Sequence, residues 1–173
     1  MNALLTSTCA ALWAVSAAAW AGDVPTISLS DDHVVRGEVL VDSSTAAVLK
    51  VLDDPVLVAR IEGGTADIEV VSQQRCKTLQ TRIHHPVASV RYTAETCPTG
   101  QGWKTRLVSS DDLEEFHYEW RVEEVKGKTR ILYFVRTIPR RAIPQFLIDR
   151  QTKGSVTRLL TRLKTHLEAP PAG

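Results

Sequence analysis

The stretch Glu114–Val125 in the second half of the chain alternates between apolar and polar residues, and a second strand candidate, Lys128–Ile138, follows it after only Lys126 and Gly127. A period of two is that of a β-strand, and such a short polar connection predicts a tight antiparallel hairpin. One face of the first stretch is apolar and the opposite face is polar: Phe116, Tyr118, Trp120 and Val122 against His117, Glu119, Arg121 and Glu123. A sheet that is apolar on one side only must be covered on that side.

The C-terminal segment supplies the predicted cover. Pro144 is typical of a helix start, and the pattern continues to about Glu168, with a loosened turn expected at Gly154. Apolar side chains recur there at intervals of three and four residues and form one stripe: Val156, Leu159, Leu160, Leu163 and Leu167. This spacing predicts one long amphipathic helix with its apolar face toward the sheet.

The preceding chain contains further strands and two short helices. His33–Asp42 is rich in β-formers, and two capped helical segments, Thr45–Leu52 and Val56–Ile61, follow it and end at Gly63-Gly64. Four more strands are predicted before the long hairpin: Ala66–Ser72, Lys77–Ile83, Val87–Cys97 and Gly102–Ser109. The order predicts an α+β domain with a seven-stranded antiparallel sheet, because the alternating β/α repeats of a parallel sheet are lacking.

The N-terminal residues 1–21 contain no charged side chain and end in Ala19-Trp20-Ala21. Small residues at the last and third-last positions are typical of a cleavable secretory signal, so we expect cleavage after Ala21 and a location in the periplasm or outside the cell. A membrane anchor and a buried N-terminal helix are the alternatives. Residues 22–32 would then be an N-terminal extension, residues 33–168 the domain, and residues 169–173 a flexible tail.

Two cysteines, Cys76 and Cys97, lie outside the predicted signal. Each is about ten residues from a predicted turn at His85-Pro86, so a hairpin would place them nearly opposite each other, within reach of a disulfide. Cysteines in an oxidising compartment usually pair. A disulfide is therefore predicted, with two free thiols as the alternative.

Three segments resemble the START/SRPBCC superfamily. VDSSTAAVLKVLDDP resembles the exit from its first strand, EFHYEWRVEEVKGKTRILYFV its penultimate hairpin, and RTIPRRAIPQFLIDRQTKGSVTRLLTRLKTHLE its C-terminal helix. The resemblance covers nearly all of residues 33–168. It implies the helix-grip fold, in which a curved sheet grips a long helix and encloses an apolar cavity for a hydrophobic molecule such as a lipid, sterol, quinone or polyketide.

If the resemblance extends to the cavity, apolar and aromatic side chains of the sheet and the long helix would line it. The alternative is that they fill a closed core, which is the ordinary arrangement in a domain of this size. The predicted ligand-binding residues are Tyr92, Leu107, Phe116, Tyr118, Trp120, Val122, Leu132, Phe134, Phe146, Leu147, Leu159, Leu160 and Leu163.

Motifs for other chemistry are missing from the sequence. The five histidines form no metal-binding spacing, and no Walker, GxSxG or GxGxxG pattern occurs, so we expect no metal and no cofactor. The formal net charge of +1 gives no reason to expect nucleic acid, and we expect a monomer. Basic residues cluster near the long helix: Arg136, Arg140, Arg141, Arg150, Lys153, Arg158, Arg162 and Lys164. A solvated helix face is the simpler interpretation, and transient contact with an anionic membrane is the alternative.

The function predicted by this combination is binding or carriage of a hydrophobic small molecule, without catalysis. A cyclase-like enzyme is the first alternative, with Tyr118, Tyr133 or Arg136 as interior polar groups that would position a substrate. An exported location argues against it, because a carrier-bound polyketide is cytosolic. The second alternative is a closed-core module that recruits another protein of the cell envelope.

Overall fold

The computed structural model describes residues 24–64, 66–84 and 89–170, and the predicted signal at residues 1–21 lies outside these ranges. Within them the chain forms eight strands and three helices. The strands are β1 (Thr26–Leu29), β2 (Val35–Val41), β3 (Ala66–Gln73), β4 (Lys77–Ile83), β5 (Val90–Thr99), β6 (Gly102–Ser109), β7 (Leu113–Val125) and β8 (Lys128–Pro139). The helices are α1 (Thr45–Leu52), α2 (Pro55–Glu62) and α3 (Gln145–Glu168).

All eight strands form one antiparallel sheet in the order β1-β2-β8-β7-β6-β5-β4-β3. Sequential hairpins run from β3 to β8, and β2 then pairs with β8 instead of with β3. Helices α1 and α2 connect β2 to β3 across the width of the sheet. Helix α3 packs on β1, β2, β8 and α2, so the sheet holds it from one side. The predicted α+β helix-grip fold is confirmed.

The two short helices begin where side chains cap them. The Ser44 hydroxyl accepts a hydrogen bond from the Ala47 amide at 3.2 Å, and the Asp54 carboxylate accepts from the amides of Val56 and Leu57 at 3.0 Å. Pro55 is the first residue of α2. Backbone N–H groups in the first turn of a helix have no partner within the helix, so the N–H that proline lacks is not needed there. Local sequence alone therefore predicted the position of both helices, one of them to the residue.

Some element boundaries differ from the predictions. The sheet has eight strands because β1 lies within the predicted N-terminal extension and pairs with β2. Helix α3 continues through Gly154 without a loosened turn, since packing of its apolar stripe outweighs the low helix propensity of one glycine. The predicted turn at His85-Pro86 lies outside the described residues.

The hydrophobic core lies between the sheet and the C-terminal half of α3. Val156, Leu160 and Leu163 of the helix are 0–2% exposed. Gly37 of β2 lies directly beneath them: a Cβ atom at this position would come within 2.6 Å of Leu160 Cδ1 and of Val156 Cγ1. The missing side chain therefore lets helix and strand approach each other closely.

The predicted disulfide between Cys76 and Cys97 is present, with the two Cα atoms 4.3 Å apart. Lys77 pairs with Thr96 in the ladder, which places the cysteines opposite each other one step outward along β4 and β5. Thr96 is buried on the inner face, so the disulfide lies on the outer face of the sheet. It links β4 and β5, which border one half of the space between the sheet and the helices.

No helix in the described ranges is long and apolar enough to cross a membrane.

Candidate functional site

A cavity of about 760 Å³ lies between the sheet, helix α2 and the N-terminal half of α3. The inner faces of β3–β8 form its floor, and side chains such as Ala59 of α2 and Ser155 and Leu159 of α3 form its roof. This volume is within the range of pockets that enclose small molecules. The prediction of a space between the sheet and the long helix is therefore met in this half of the molecule, whereas the other half is a closed core.

Five aromatic rings follow one another across the cavity floor. The ring centroids are 4.7 Å apart between Tyr92 and Phe116, 5.7 Å between Phe116 and Tyr118, 5.7 Å between Tyr118 and Tyr133, and 4.1 Å between Tyr133 and Trp120. The strand register explains this row of rings. Tyr118 and Trp120 are two residues apart on β7 and therefore both point inward, and Tyr133 of β8 pairs with Trp120. Tilted ring pairs at these distances are favourable and leave broad apolar faces toward the cavity.

Threonine hydroxyls bind two of the three tyrosine hydroxyls on this floor. Tyr118 is hydrogen-bonded to Thr105 and Thr96, whose own hydroxyls are 2.7 Å apart, and Tyr92 is hydrogen-bonded to Thr81. Burial raises the pKa of both tyrosines, because the protein around each hydroxyl cannot solvate a phenolate as water does. These two tyrosines are therefore neutral hydrogen-bonding groups at physiological pH.

The third tyrosine hydroxyl, that of Tyr133, has no hydrogen-bond partner among the described residues, although Tyr133 is only 9% exposed. Burial raises its pKa well above the ordinary value as well. The residue lines the cavity, so its hydroxyl group is available to a molecule within it. Among the three tyrosines of the cavity floor, as far as the described residues show, only Tyr133 has a hydroxyl that forms no hydrogen bond with a neighbouring threonine.

Glu62, the last residue of α2, places a carboxyl group in the cavity wall. Burial raises its pKa above the ordinary value, while the positive charges of Arg158 and Arg162 oppose the shift. The Arg162 guanidinium donates to the backbone carbonyl of Glu62 and not to its side chain. Glu62 is also close enough to Tyr92 and Tyr133 for its charge to raise the pKa of both hydroxyls.

Exposed apolar side chains surround one end of the cavity. Ile143 and Leu147, which are 42% and 44% exposed, belong to its lining, and Phe146 beside them is 67% exposed. Arg141 also lines this end and forms an ion pair with Asp112 at 3.2 Å. The cavity therefore reaches the surface at the N-terminal end of α3.

Of the thirteen residues predicted to bind a ligand, the structure brings six together around the cavity: Tyr92, Phe116, Tyr118, Trp120, Leu147 and Leu159. Val122, Leu160 and Leu163 belong instead to the closed core. Leu107 pairs with Ala94 on β5 but does not line the cavity, and Phe146 points into solvent. These five positions were expected at the cavity because apolar periodicity cannot distinguish a cavity wall from a filled core or an exposed rim.

Two further expected positions, Leu132 and Phe134, lie on the outer face of the sheet. Phe134 packs between two guanidinium groups, those of Arg36 at 5.7 Å and Arg121 at 4.9 Å from its ring centroid. The stretch from Ile131 to Val135 is apolar on both faces, so apolarity could not show which side chains point inward. The ladder settles the orientation, because Tyr133 pairs with Gly37 and Trp120.

Sequence analysis missed the contribution of α2 and β3 to the cavity. Glu62, Ala59 and Ile68 line it, and none of them was a predicted ligand-binding residue. The sequence gives little indication that Glu62 lines a cavity, because it shows only one acidic residue at the end of a short helix, before the glycine that terminates the helix. Only the crossing of α2 over the sheet places that carboxyl group inside.

The predicted basic cluster separates into several local arrangements. Arg136 lies on the outer face, where its guanidinium donates to Glu115 at 3.0 Å and its buried Nε has no partner in the described part of the chain. Lys164 donates to the Leu40 carbonyl at 3.0 Å. Arg140 and Arg150 are exposed near the open end of the cavity. Arg136 is therefore outside the cavity in which it was considered as a polar group.

Within the described ranges, one group of three potential metal-binding side chains lies close together: Cys76, Glu95 and Cys97. Both of its sulfur atoms are joined in the disulfide. A bonded sulfur pair cannot supply the thiolate ligands that a soft metal would need.

No protein-family model matches the sequence, and no curated protein matches it either. Solved structures do match. A START superfamily protein from Mycobacterium smegmatis superimposes with a TM-score of 0.69 at 12% identity, covering 79% of this chain and 97% of that one. Human StAR-related lipid transfer protein 5 gives a TM-score of 0.64 at 13% identity, with 86% and 88% covered.

The Zhui aromatase/cyclase from a Streptomyces species gives a TM-score of 0.65 at 13% identity, covering 82% of this chain and 99% of the other. At such identities the likeness shows a shared fold. The helix-grip fold that the resemblance implied is thereby confirmed, and lipid-transfer and cyclase structures share it.

Proposed function

We propose that this protein is an exported START-like domain that binds or carries one hydrophobic small molecule of lipid, sterol or quinone type. The observation that carries the proposal is the cavity of about 760 Å³ with its row of five aromatic rings. An apolar enclosure of this size is costly to leave unfilled, and burial of an apolar ligand there contributes roughly 25 cal/mol per Å² removed from water.

A cavity-filling variant tests this proposal. Ala59→Phe would place a ring in the roof, and Ala46→Phe adds the same group on the exposed side of α1 as a matched control. A neutral fluorescent dye that brightens in apolar surroundings should bind the natural protein and the Ala46→Phe variant, and should bind Ala59→Phe at least about tenfold more weakly. Equal dye binding by all three proteins would contradict the cavity as the site.

Mass spectrometry of the intact protein gives a second test. Protein purified under native conditions from its exporting host should carry added mass of a hydrophobic compound at stoichiometric amount, and Ala59→Phe should carry less. The same spectrum reports the N-terminus, since removal of residues 1–21 would show the expected cleavage after Ala21. The Cys76–Cys97 disulfide supports export, because disulfides persist mainly in oxidising compartments.

The proposal includes delivery at a membrane surface. Ile143, Phe146 and Leu147 expose apolar groups at the open end of the cavity, and Arg140 and Arg150 are exposed nearby. Basic groups near an anionic bilayer contribute about 1 kcal/mol each, while apolar side chains can enter the headgroup region. The two features therefore complement each other at the place where a lipid would enter or leave.

Vesicle binding tests the membrane contact. The protein should bind vesicles with anionic lipid more tightly than neutral vesicles, and replacing Arg140, Arg141 and Arg150 by Ala should remove the difference. Phe146→Ser should weaken binding to both kinds of vesicle, because it removes apolar contact and not charge. Binding to anionic vesicles that the triple replacement leaves unchanged would overturn this part of the proposal.

The proposal assigns no catalysis to the site. Tyr118 is held neutral in a threonine network and Arg136 lies outside the cavity, which weakens the case for either as a catalytic group. A cyclase-like enzyme is the competing function, since aromatase/cyclases share the fold. It predicts turnover of a polyketide-type substrate that Tyr118→Phe or Tyr133→Phe abolishes, whereas a carrier returns its ligand unchanged.

A further inference from the structure

The polar groups of the cavity fall into two classes. Some have protein partners: Lys77 pairs with Asp53 at 2.7 Å, and the hydroxyls of Tyr92 and Tyr118 bind threonines. The Glu62 carboxylate and the Tyr133 hydroxyl have no hydrogen-bond partner within the described ranges. Both groups open onto the same cavity, so both are available to hydrogen-bond a molecule bound there.

From these two groups we infer that the cavity selects a hydrophobic molecule bearing a hydroxyl group, which donates a hydrogen bond to the Glu62 carboxylate and accepts one from Tyr133. The inference rests on the proposed function and specifies its ligand class. A carboxylate only accepts hydrogen bonds, and a phenolic hydroxyl can donate or accept. A neutral hydroxyl matches this pair, because it both donates and accepts.

The same arrangement disfavours a ligand with a carboxylate head. Two carboxylates near each other in surroundings of low polarity repel strongly, and Glu62 already lacks full solvation. Arg158 lines the cavity and acts on Glu62 together with Arg162, but Arg158 is exposed, donates to Ser155 at 2.9 Å, and is screened by solvent. The inference therefore separates hydroxylated lipids from free fatty acids.

Competition among three ligands with one alkyl chain tests the inference. Dodecanol, its methyl ether and dodecanoate would each displace the neutral dye. The ether keeps the acceptor oxygen and loses only the donor, so a hydrogen bond to the carboxylate should make dodecanol bind about tenfold or more tightly than the ether. Dodecanoate should bind weakly at pH 8 and more tightly as the pH falls and carboxyl groups become protonated.

Two variants assign the effects to residues. Glu62→Gln keeps the size of the side chain and removes the charge, so the preference for dodecanol over the ether should shrink several-fold and dodecanoate should bind more tightly. Tyr133→Phe removes the donor to the ligand oxygen and should weaken dodecanol and the ether to a similar extent, because both keep that acceptor oxygen. Glu124→Gln, at an exposed position far from the cavity, is the matched control and should change nothing.

The outcomes separate the two proposals. Dye binding that Ala59→Phe abolishes, with equal affinity for dodecanol and its ether, would overturn the inference and leave the proposed function standing. Unchanged ligand preferences in Glu62→Gln, with the variant's melting temperature intact, would also overturn it. Failure of the dye to bind at all would instead contradict the proposed function itself.

Discussion

The two halves of helix α3 meet different surfaces. The C-terminal half lies close to β2 and β8, where Gly37 has no side chain and Leu160 and Leu163 are fully buried. The N-terminal half lines the cavity, whose floor carries aromatic rings and threonines. One helix thus closes a core at one end and roofs a binding space at the other.

The difference shows how one scaffold separates stability from binding. Close packing in the C-terminal half can stabilise the fold while the other half retains unfilled volume, which costs dispersion contacts. The disulfide on the outer face and the α2 crossing lie in the half with the cavity, where packing supports the structure less. Four predictions test this division, in order of decreasing effect.

The largest effect is expected from Leu163→Ala in the closed core. Truncating a fully buried leucine should lower the free energy of unfolding by about 3–5 kcal/mol, because the surrounding side chains cannot collapse into the gap. Leu159→Ala at the cavity wall should cost roughly 1–2 kcal/mol less, because this side chain already borders unfilled space. Urea denaturation measures both variants, and equal losses would contradict the division.

Removal of the disulfide should affect the cavity half first. The double variant Cys76→Ser/Cys97→Ser should lose about 2–4 kcal/mol of stability, since the unfolded chain regains the freedom that the cross-link removes. Amide hydrogen exchange should accelerate more in β4 and β5 than in β2 and β8. Uniform acceleration through the sheet would mean that the two halves unfold as one unit.

Replacement of Gly37 tests the close approach of helix and strand. In Gly37→Ala the added methyl carbon would lie 2.6 Å from side-chain carbons of Leu160 and Val156, which is closer than van der Waals contact allows. The free energy of unfolding should therefore fall by about 1–3 kcal/mol. Gly100→Ala is the matched control, because a Cβ atom there meets nothing within 4 Å. Thermal melting measures both, and a Gly37→Ala variant as stable as the control would show that the helix can move away freely.

The smallest effect is the pH dependence that Glu62 contributes. Its pKa is higher in the folded protein than the ordinary 4.5, so the folded state holds the proton more tightly than the unfolded state. Stability from this group is present below pH 4.5 and falls as the pH rises through the folded pKa. Glu62→Gln should therefore gain stability relative to the natural protein as the pH increases, measured by urea denaturation at a series of pH values.

The fold could be predicted largely because its signals are local. Caps at Ser44 and Asp54, the alternation of β7 and the stripe of α3 each follow from neighbouring residues. The cavity could be predicted only in part, because its lining depends on which face of a strand turns inward. Strand β8 is apolar on both faces, so Leu132 and Phe134 were predicted to line the cavity, whereas Tyr133 and Val135 line it in the structure.

The sequence by itself determined the order of elements, the two short helices, the cross-strand cysteine pair and the one-sided apolar pattern of β7, because periodicity and capping act over a few residues. Tertiary structure alone decided that β1 joins the sheet, that Phe134 packs outward between two arginines and that Glu62 enters the cavity. These outcomes depend on ladder register and on the crossing of α2, which join residues far apart in the chain. The same tertiary contacts leave Glu62 and Tyr133 facing a common space, and the proposed ligand class follows from that juxtaposition.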